Sequence, residues 1–192
     1  MEIETLVNQA LDQIGYTRHI GNIQDGSPAA RIALNLWGQT RDELLYSLEP
    51  DWARKDAALV VFKQAPNIVG GTANYDVTPW DSTYPPLPWL YEYTMPSDII
   101  KPLQIKTTPM FLPVWRPRPN TYRYLVDFSL TSVETILCNT PGAILTYIYK
   151  VLDPDNWDAD FRTAIVQVIA RKMAAPLGKQ APKEADDGNA AG

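Results

Sequence analysis

Histidine and cysteine, two residue types on which acid–base and nucleophilic catalysis often depends, each occur once in this sequence, as His19 and Cys138. No serine or cysteine nucleophile lies in a recognisable motif, and we interpret His19 as a surface loop residue. Cys138 lies in an apolar stretch, where a small buried side chain is expected rather than a reactive thiol. The sequence therefore predicts no catalytic residue and no cofactor, and hence a protein that is not an enzyme.

The candidates for metal or phosphate binding are equally weak. One histidine and one cysteine cannot supply the usual nitrogen and sulfur ligands of a zinc site. The acidic run at residues 153–160 suggests calcium, but Asp158 stands where an EF-hand loop needs glycine and Ala164 where it needs glutamate. Acidic residues at a helix start explain the run better. Residues 70–72, Gly-Gly-Thr, are not followed by the lysine of a phosphate-binding loop. We therefore expect no metal site.

Composition and charge restrict the partners. The chain has 192 residues, of which 45% are apolar and 20% charged, and its formal net charge is −5. Its lysines and arginines are scattered, whereas tight nucleic-acid binding depends on a basic patch. No apolar run approaches the length of about 18 residues that a transmembrane helix needs. We expect no membrane association and no tight DNA binding, although loose passage of DNA past an acidic wall is compatible with this charge.

Helical periodicity and capping signals predict four helices. An apolar stripe from Ile3 to Ile14 ends at Gly15, which tolerates the left-handed conformation of a helix end. Ser27 and Pro28 begin a second helix, and its two apolar stripes predict burial on two sides, either within a bundle or against a neighbouring subunit. The four segments are residues 3–14, residues 28–48, residues 52–64, and a last helix that begins within residues 153–160 and ends near residue 175.

Between the third and fourth helices the pattern changes to short strands. Most of the 17 prolines lie between residues 65 and 122, so regular structure there must be short. Alternating apolar residues predict strands at residues 91–95, 99–105 and 122–130, and Pro102 predicts an edge position for the second of these. Apolar runs at residues 136–138 and 144–151 flank Asn-Thr-Pro-Gly, which predicts a hairpin.

Together these elements predict an α+β fold. Residues 1–64 and 152–178 are expected to form a small helical bundle. Residues 65–151 are expected to form a proline- and aromatic-rich β insertion between the third and fourth helices. Residues 179–192 lack large apolar side chains, which predicts a flexible C-terminal tail.

Aromatic residues provide the clearest indication of function from the residues themselves. Tryptophan and tyrosine are enriched at protein–protein contacts, and the irregular insertion carries more of them than it can readily bury. About half of these side chains could instead form a small core within the insertion. The candidate interface residues are Trp37, Trp80, Tyr84, Trp89 and Trp115, with Lys179 and Gln180 in the tail.

Several sequence blocks occur in a specific order and spacing. They are ALDQIG at residues 10–15, AARIAL at 29–34, PDWARKDAAL at 50–59, YEYTMPSD at 91–98, and a closing pair at 147–153 and 161–175. In this order they resemble the head-to-tail adaptors of short-tailed bacteriophages, a family also called tail tubular protein A. The likeness covers nearly all of residues 3–177. The third block departs from the family pattern, because Asp51 separates its proline from its tryptophan.

The resemblance implies a structural ring of identical subunits, typically twelve, docked beneath the portal protein and extending the DNA channel. The implied partners are other copies of the chain, the portal, the tail nozzle or other tail proteins, and double-stranded DNA in transient, non-specific passage. The implied location is the head–tail junction of the virion, after assembly in the host cytoplasm. An acidic ring wall would let like-charged DNA slide without sticking.

Two other functions stay open at this point. Some phage proteins degrade the cell wall, and paired carboxylates could support a phage-associated peptidoglycan hydrolase. A monomeric module could also bind a peptide or a sugar on its aromatic insertion.

Overall fold

The computed structural model describes residues 2–66, 68–69, 72–73, 82–86, 88–107, 125–126, 128–130 and 135–182. The chain divides into two compact units. One, the helical unit, combines residues 1–52 with residues 150–192, and the other, the β unit, comprises residues 53–149.

The described part of the helical unit contains three α-helices. They are α1 (Ile3–Gln13), α2 (Pro28–Leu48) and α3 (Ala159–Ala174). The predicted first helix is confirmed, since α1 buries Leu6, Val7 and Leu11 along one stripe. Gly15 adopts a φ of +65° just beyond the helix end, a conformation that costs glycine little.

Helix α2 begins and ends where the sequence predicts. The Ser27 hydroxyl accepts a hydrogen bond from the Ala30 N–H at 3.2 Å, and Glu49 ends the helix in the left-handed region with a φ of 47°. Part of its apolar surface stays open, because Leu34 and Leu48 are 51% and 53% exposed. Within the described residues the second apolar stripe is therefore only partly buried, since Trp37 and Leu45 of that stripe are buried.

The predicted last helix is also confirmed, although it begins late in the acidic run. Pro154–Asn156 form a separate 3-10 turn, and Asp158 then caps α3 by accepting a hydrogen bond from the Phe161 N–H at 2.7 Å. Arg171 and Lys172 lie in the last turn, where the helix dipole favours positive charge.

An aromatic cluster forms part of the core of the helical unit. Trp157 stacks on Trp37 with ring centroids 5.8 Å apart. Phe161 meets the edges of Trp157 and Trp52, each at 5.2 Å. The Asp158 carboxylate, besides capping α3, accepts a hydrogen bond from the Trp52 indole N–H at 2.8 Å. One carboxylate thus joins the helix start to the cluster.

The predicted third helix, residues 52–64, is wrong. After a 3-10 turn at Asp51–Ala53 the chain runs as two strands, β1 (Arg54–Ala58) and β2 (Val60–Gln64). The alanines of β1 favour a helix, but the Val-Val-Phe run of β2 favours a strand. Pairing with strands distant in sequence then overrides the local helical preference. The β region therefore lies between the second and third helices.

Two four-stranded antiparallel sheets and a two-stranded ribbon form the described part of the β unit. The remaining strands are β3 (Ile68–Val69), β4 (Thr72–Ala73), β5 (Tyr91–Thr94), β6 (Ile99–Thr107), β7 (Leu125–Val126), β8 (Phe128–Leu130), β9 (Thr135–Cys138) and β10 (Ala143–Tyr149). The first sheet has the order β1-β10-β6-β7, the second has the order β2-β5-β9-β8, and β3 pairs with β4. The fold is a strand-rich α+β arrangement, so the predicted helical bundle with a β insertion between third and fourth helices is wrong.

The chain crosses between the two sheets four times, from β1 to β2, β5 to β6, β7 to β8 and β9 to β10. Side chains from both sheets form one core, as in a β-sandwich. Its larger members are Leu59, Leu90, Tyr91, Tyr93, Ile105, Ile136, Leu145 and Tyr147.

Three strand predictions have different outcomes. The strand at residues 91–95 is confirmed as β5, and part of the strand at 122–130 is present as β7 and β8. Residues 122–124 and 127 lie outside the described residues. The hairpin predicted around residues 139–142 is wrong in its pairing, because β9 and β10 belong to different sheets. The turn itself is present, with Gly142 at a φ of +62°.

The predicted edge position of the strand at 99–105 is wrong, since β6 lies between β10 and β7. Pro102 pairs with Tyr147 beside a register shift. In the described part of the sheet β7 reaches only Ile105 and Lys106. The irregular register and the short reach of β7 explain how an inner strand tolerates a residue without an N–H donor.

We expect Asp158→Ala to lower the free energy of unfolding by about 1–2 kcal/mol, because α3 loses its cap and the Trp52 indole loses its acceptor. Urea unfolding followed by tryptophan fluorescence measures the change. Asp160→Ala is the matched control, since Asp160 lies in the first turn of α3 but is not its cap, and it should cost about 0.5 kcal/mol or less. Equal losses for the two variants would contradict the capping role.

Candidate interaction surface

One edge of the second sheet carries three consecutive exposed apolar side chains. Val60 is 70% exposed, Val61 45% and Phe62 59%. All three belong to β2, whose one described strand neighbour in the sheet is β5. An edge strand leaves backbone N–H and C=O groups on one side without a strand partner, and proteins commonly protect such an edge with charged side chains. We name Val60, Val61 and Phe62 the apolar edge.

The pairing of β2 with β5 leaves the apolar edge without a protecting charge. Val61 pairs with Tyr93 and Lys63 with Glu92, so Phe62 is the additional residue of a β-bulge. Lys63 is the one charged residue of β2, and its Nζ lies 3.4 Å from Glu92 Oε2. The same ammonium lies 5.3 Å from the centre of the Phe62 ring. Lys63 is therefore engaged by its own sheet.

Glu92 is a buried carboxylate on the strand next to the apolar edge. It is 3% exposed, and the Thr135 hydroxyl donates a hydrogen bond to its Oε1 at 2.8 Å. Its Oε2 has no hydrogen bond in the described part of the chain, and the Lys63 ammonium supplies its nearby positive charge. A buried carboxylate is costly without such compensation, so this pair holds β2 against β5.

The preceding strand, β1, is an edge strand of the first sheet and carries charged residues. Its Asp56 accepts two hydrogen bonds from Lys106 Nζ, at 3.0 and 3.2 Å, and one from the Thr146 hydroxyl. Lys106 is only 7% exposed, so its ammonium is largely removed from water and depends on Asp56 for compensation. These bonds join β1 to both β6 and β10.

A second ion pair joins β1 to the turn before β6. Lys55 Nζ lies 2.9 Å from Asp98, which also accepts a hydrogen bond from the Tyr147 hydroxyl at 2.8 Å. Burial alone would raise the pKa of Asp98, but the hydrogen bonds from Lys55 and Tyr147 outweigh it and hold that pKa below its usual value. Burial, with the bond to Asp98, raises the pKa of Tyr147. β1 is thus fixed by charge.

The structure separates the predicted aromatic interface residues. Trp37 is 6% exposed and belongs to the core of the helical unit. Tyr84 and Trp89 are partly exposed and lie in the β unit. Trp80 and Trp115 lie outside the described residues. The described aromatic residues of this set are therefore divided between a core position, Trp37, and two partly exposed positions in the β unit, Tyr84 and Trp89.

Other exposed residues supplement this set. Lys179 and Gln180, predicted as interface residues of the tail, are both exposed. Leu152, close before α3, is 62% exposed. The apolar edge is absent from the predicted interface because residues 52–64 are assigned there to a helix. Its signal in the sequence is a run of β-branched and aromatic residues, which favours an edge strand as soon as a strand is considered.

Residues with metal-binding or nucleophilic chemistry are dispersed. The described residues hold no group of three or more His, Cys, Asp or Glu side chains placed to bind a metal ion. His19 Nε2 lies 2.7 Å from Asp12, and both side chains are more than half exposed. Cys138 is buried in the β core, and burial raises the pKa of its thiol. Among the described helices, none combines the length and apolar character required to cross a membrane.

We expect Asp98→Asn to lower the free energy of unfolding at pH 7 by about 0.5–1 kcal/mol, because the ion pair with Lys55 is lost. The folded pKa of Asp98 is lowered, so its contribution is present above the unfolded pKa of about 3.9 and is lost as the pH falls through the folded pKa. The difference between wild type and variant should therefore shrink below about pH 4. Urea unfolding across pH 3–7 measures it, and a difference independent of pH would refute the ion-pair account.

No protein-family model matches the chain, and no curated protein matches its sequence.

Proposed function

We propose that this chain is a structural, non-enzymatic subunit of the ring that joins a bacteriophage capsid to its tail. In this role, copies of the chain assemble beneath the portal protein at the head–tail junction of the virion. The ring extends the DNA channel and offers an attachment site for tail components. The sequence blocks that resemble head-to-tail adaptors are the first support for this role.

The apolar edge is the structural observation that carries the proposal. Its three side chains are between 45% and 70% exposed, whereas a protein that works alone usually covers or charges a strand of this kind. Burial of apolar surface contributes roughly 25 cal/mol per Å². Covering the edge with a neighbouring subunit therefore favours assembly, and a ring repeats that contact at every subunit.

A ring subunit also needs surfaces for its portal and tail partners. In the helical unit, Leu34 and Leu48 leave about half of their area exposed, at 51% and 53%. Lys179 and Gln180 follow α3 as exposed residues, and segments that become ordered on binding can cover a large partner surface. We assign the C-terminal tail to the portal contact.

The charge of the chain suits a channel that DNA must pass. Each copy carries a formal net charge of −5, so a ring of copies is strongly acidic. Phosphate groups are repelled by such a wall rather than held, which favours passage over binding.

The first test of this role is assembly on a portal. The full chain mixed with the portal protein of the same virus should co-sediment with it, because the portal supplies the surface on which the ring docks. Electron micrographs of that fraction should show an added ring coaxial with the portal. The chain mixed with the major capsid protein of the same virus is the control. A chain that fails to co-sediment with its portal at low and at moderate salt would refute the adaptor role.

The second test concerns the tail. Deleting residues 179–192 should weaken portal binding about tenfold or more while leaving the unfolding temperature unchanged, because contacts are lost only in the complex. Deleting residues 183–192 alone is the matched control, since it retains Lys179 and Gln180. Binding measured by surface plasmon resonance compares the two. An unchanged affinity after the longer deletion would rule out the tail as a portal contact.

A further inference from the structure

The second sheet of the β unit has two opposite edge strands in the described structure, β2 and β8. All three of its pairings, β2 with β5, β5 with β9 and β9 with β8, are antiparallel. Because the sheet has four strands, its two edge strands run in opposite directions. Copies of the chain placed side by side in the same orientation therefore bring β8 of one copy antiparallel to β2 of the next.

We propose that β2 of each copy pairs with β8 of its neighbour, so that the second sheet continues from subunit to subunit. This inference rests on the proposed function and names the contact that builds the ring. Strand addition supplies main-chain hydrogen bonds across the contact, and the side chains beside it supply specificity. Contacts between two different surfaces repeat in one direction and close into a ring when their rotation closes.

The lengths of the two edges agree with a short pairing. Phe62 forms a bulge in β2, which bends the strand and limits the regular stretch available to a partner. β8 spans three residues, Phe128–Leu130, and needs only a short stretch opposite it. The required occupant is therefore already part of this chain, in the correct direction and of compatible length.

The charges of the β unit direct the contact to the second sheet. In the first sheet the edge strand β1 carries three charged residues, Arg54, Lys55 and Asp56, which stay exposed although two of them form ion pairs, and exposed charged side chains oppose the approach of another strand. In the second sheet β2 has one charged residue, Lys63, whose side chain is only 29% exposed beside Glu92. Of the two consecutive edge strands β1 and β2, the apolar edge of β2 is thus the part that a neighbouring copy can approach.

Two variants block the two edges separately. Val60→Lys combined with Phe62→Lys places charges on β2, and Ser129→Lys places a charge on β8, which is how edge strands avoid pairing. Wild type should form assemblies of several copies, whereas each variant alone should have the mass of a single copy in sedimentation velocity. An equimolar mixture should form a complex of two copies, because β8 of the first variant and β2 of the second are both intact.

The matched control adds the same charges to the helical unit. Thr17→Lys combined with Gln24→Lys changes two exposed loop residues of that unit and should assemble as wild type does. Assembly of Ser129→Lys alone would indicate pairing of β2 with β2 and would overturn the proposal. A mixture of the two blocked variants that stays monomeric would also overturn the proposal. So would assembly of each blocked variant on its own, or wild type that is monomeric both alone and with the portal.

Hydrogen exchange tests the same contact without any substitution. Amides of residues 60–64 and 128–130 should exchange about tenfold more slowly in the assembled wild-type chain than after dilution. Slowing at residues 60–64 alone would overturn the pairing even if a blocked variant does not fold.

A chain with both edges blocked that still forms its ring on the portal would refute the pairing and leave the adaptor role intact. Assembly through β2 and β8 in a chain that does not bind the portal would support the pairing and refute the adaptor role.

Discussion

The open backbone along the edge of a β-sheet is the constraint on which the rest of this structure depends. Peptide N–H and C=O groups at an edge need water, a cover or another strand, and the side chains beside them decide which of these is available. Residues 54–64 form an edge of both sheets, as β1 in the first and β2 in the second. Charged side chains occupy the first half of this segment and apolar side chains the second half. The two halves therefore differ in the side chains that they present to solvent along the edge.

The ion pairs of β1 also set the orientation of the apolar edge. β1 and β2 are joined by a single residue, Leu59, which is 9% exposed and whose N–H donates to the Ala143 carbonyl at 2.9 Å. Because side chains alternate along a strand, a slip of one residue would exchange the two faces of β2. The hydrogen bonds that Asp56 accepts from Lys106 and Thr146 oppose such a slip. Polar contacts of β1 thus fix the register of the segment that carries the apolar edge.

Local signals explain which parts of the fold could be predicted from sequence. Helix α1 ends just before Gly15, Ser27 caps the start of α2, and α3 begins in the acidic run. Capping at each of these positions acts over only three or four residues, so it can be read from the local sequence. The prediction of a third helix at residues 52–64 is wrong because the alanines there favour a helix locally. The strands that form instead depend on pairing with β10 and β5, which lie far along the chain. The hairpin at residues 139–142 failed for the same reason, since the turn is local but the choice of sheet is not.

The candidate interaction surface also depends on contacts that are distant in sequence. Aromatic residues indicate contact surfaces only on average. Trp37 is of a residue type common at interfaces, but it lies in the core, stacked on Trp157. Sequence spacing could not bring those two rings together. The apolar edge could have been recognised from Val-Val-Phe once a strand was assigned, but its exposure follows from the place of β2 at the end of the strand order. Exposure is a property of topology rather than of residue type.

The even number of strands in the second sheet gives its two edges opposite directions, which residue types alone do not reveal. Aromatic or aliphatic surface has no direction, so it stabilises many relative orientations of two copies almost equally. A strand edge has a direction, and an antiparallel sheet with an even number of strands ends in two edges that are antiparallel to each other. Copies in the same orientation can then continue the antiparallel pattern, whereas an odd number would force a parallel pairing, which is slightly less stable per residue. The four-strand order β2-β5-β9-β8 therefore favours repeated, one-directional contacts, and contacts of that kind are what a closed ring requires.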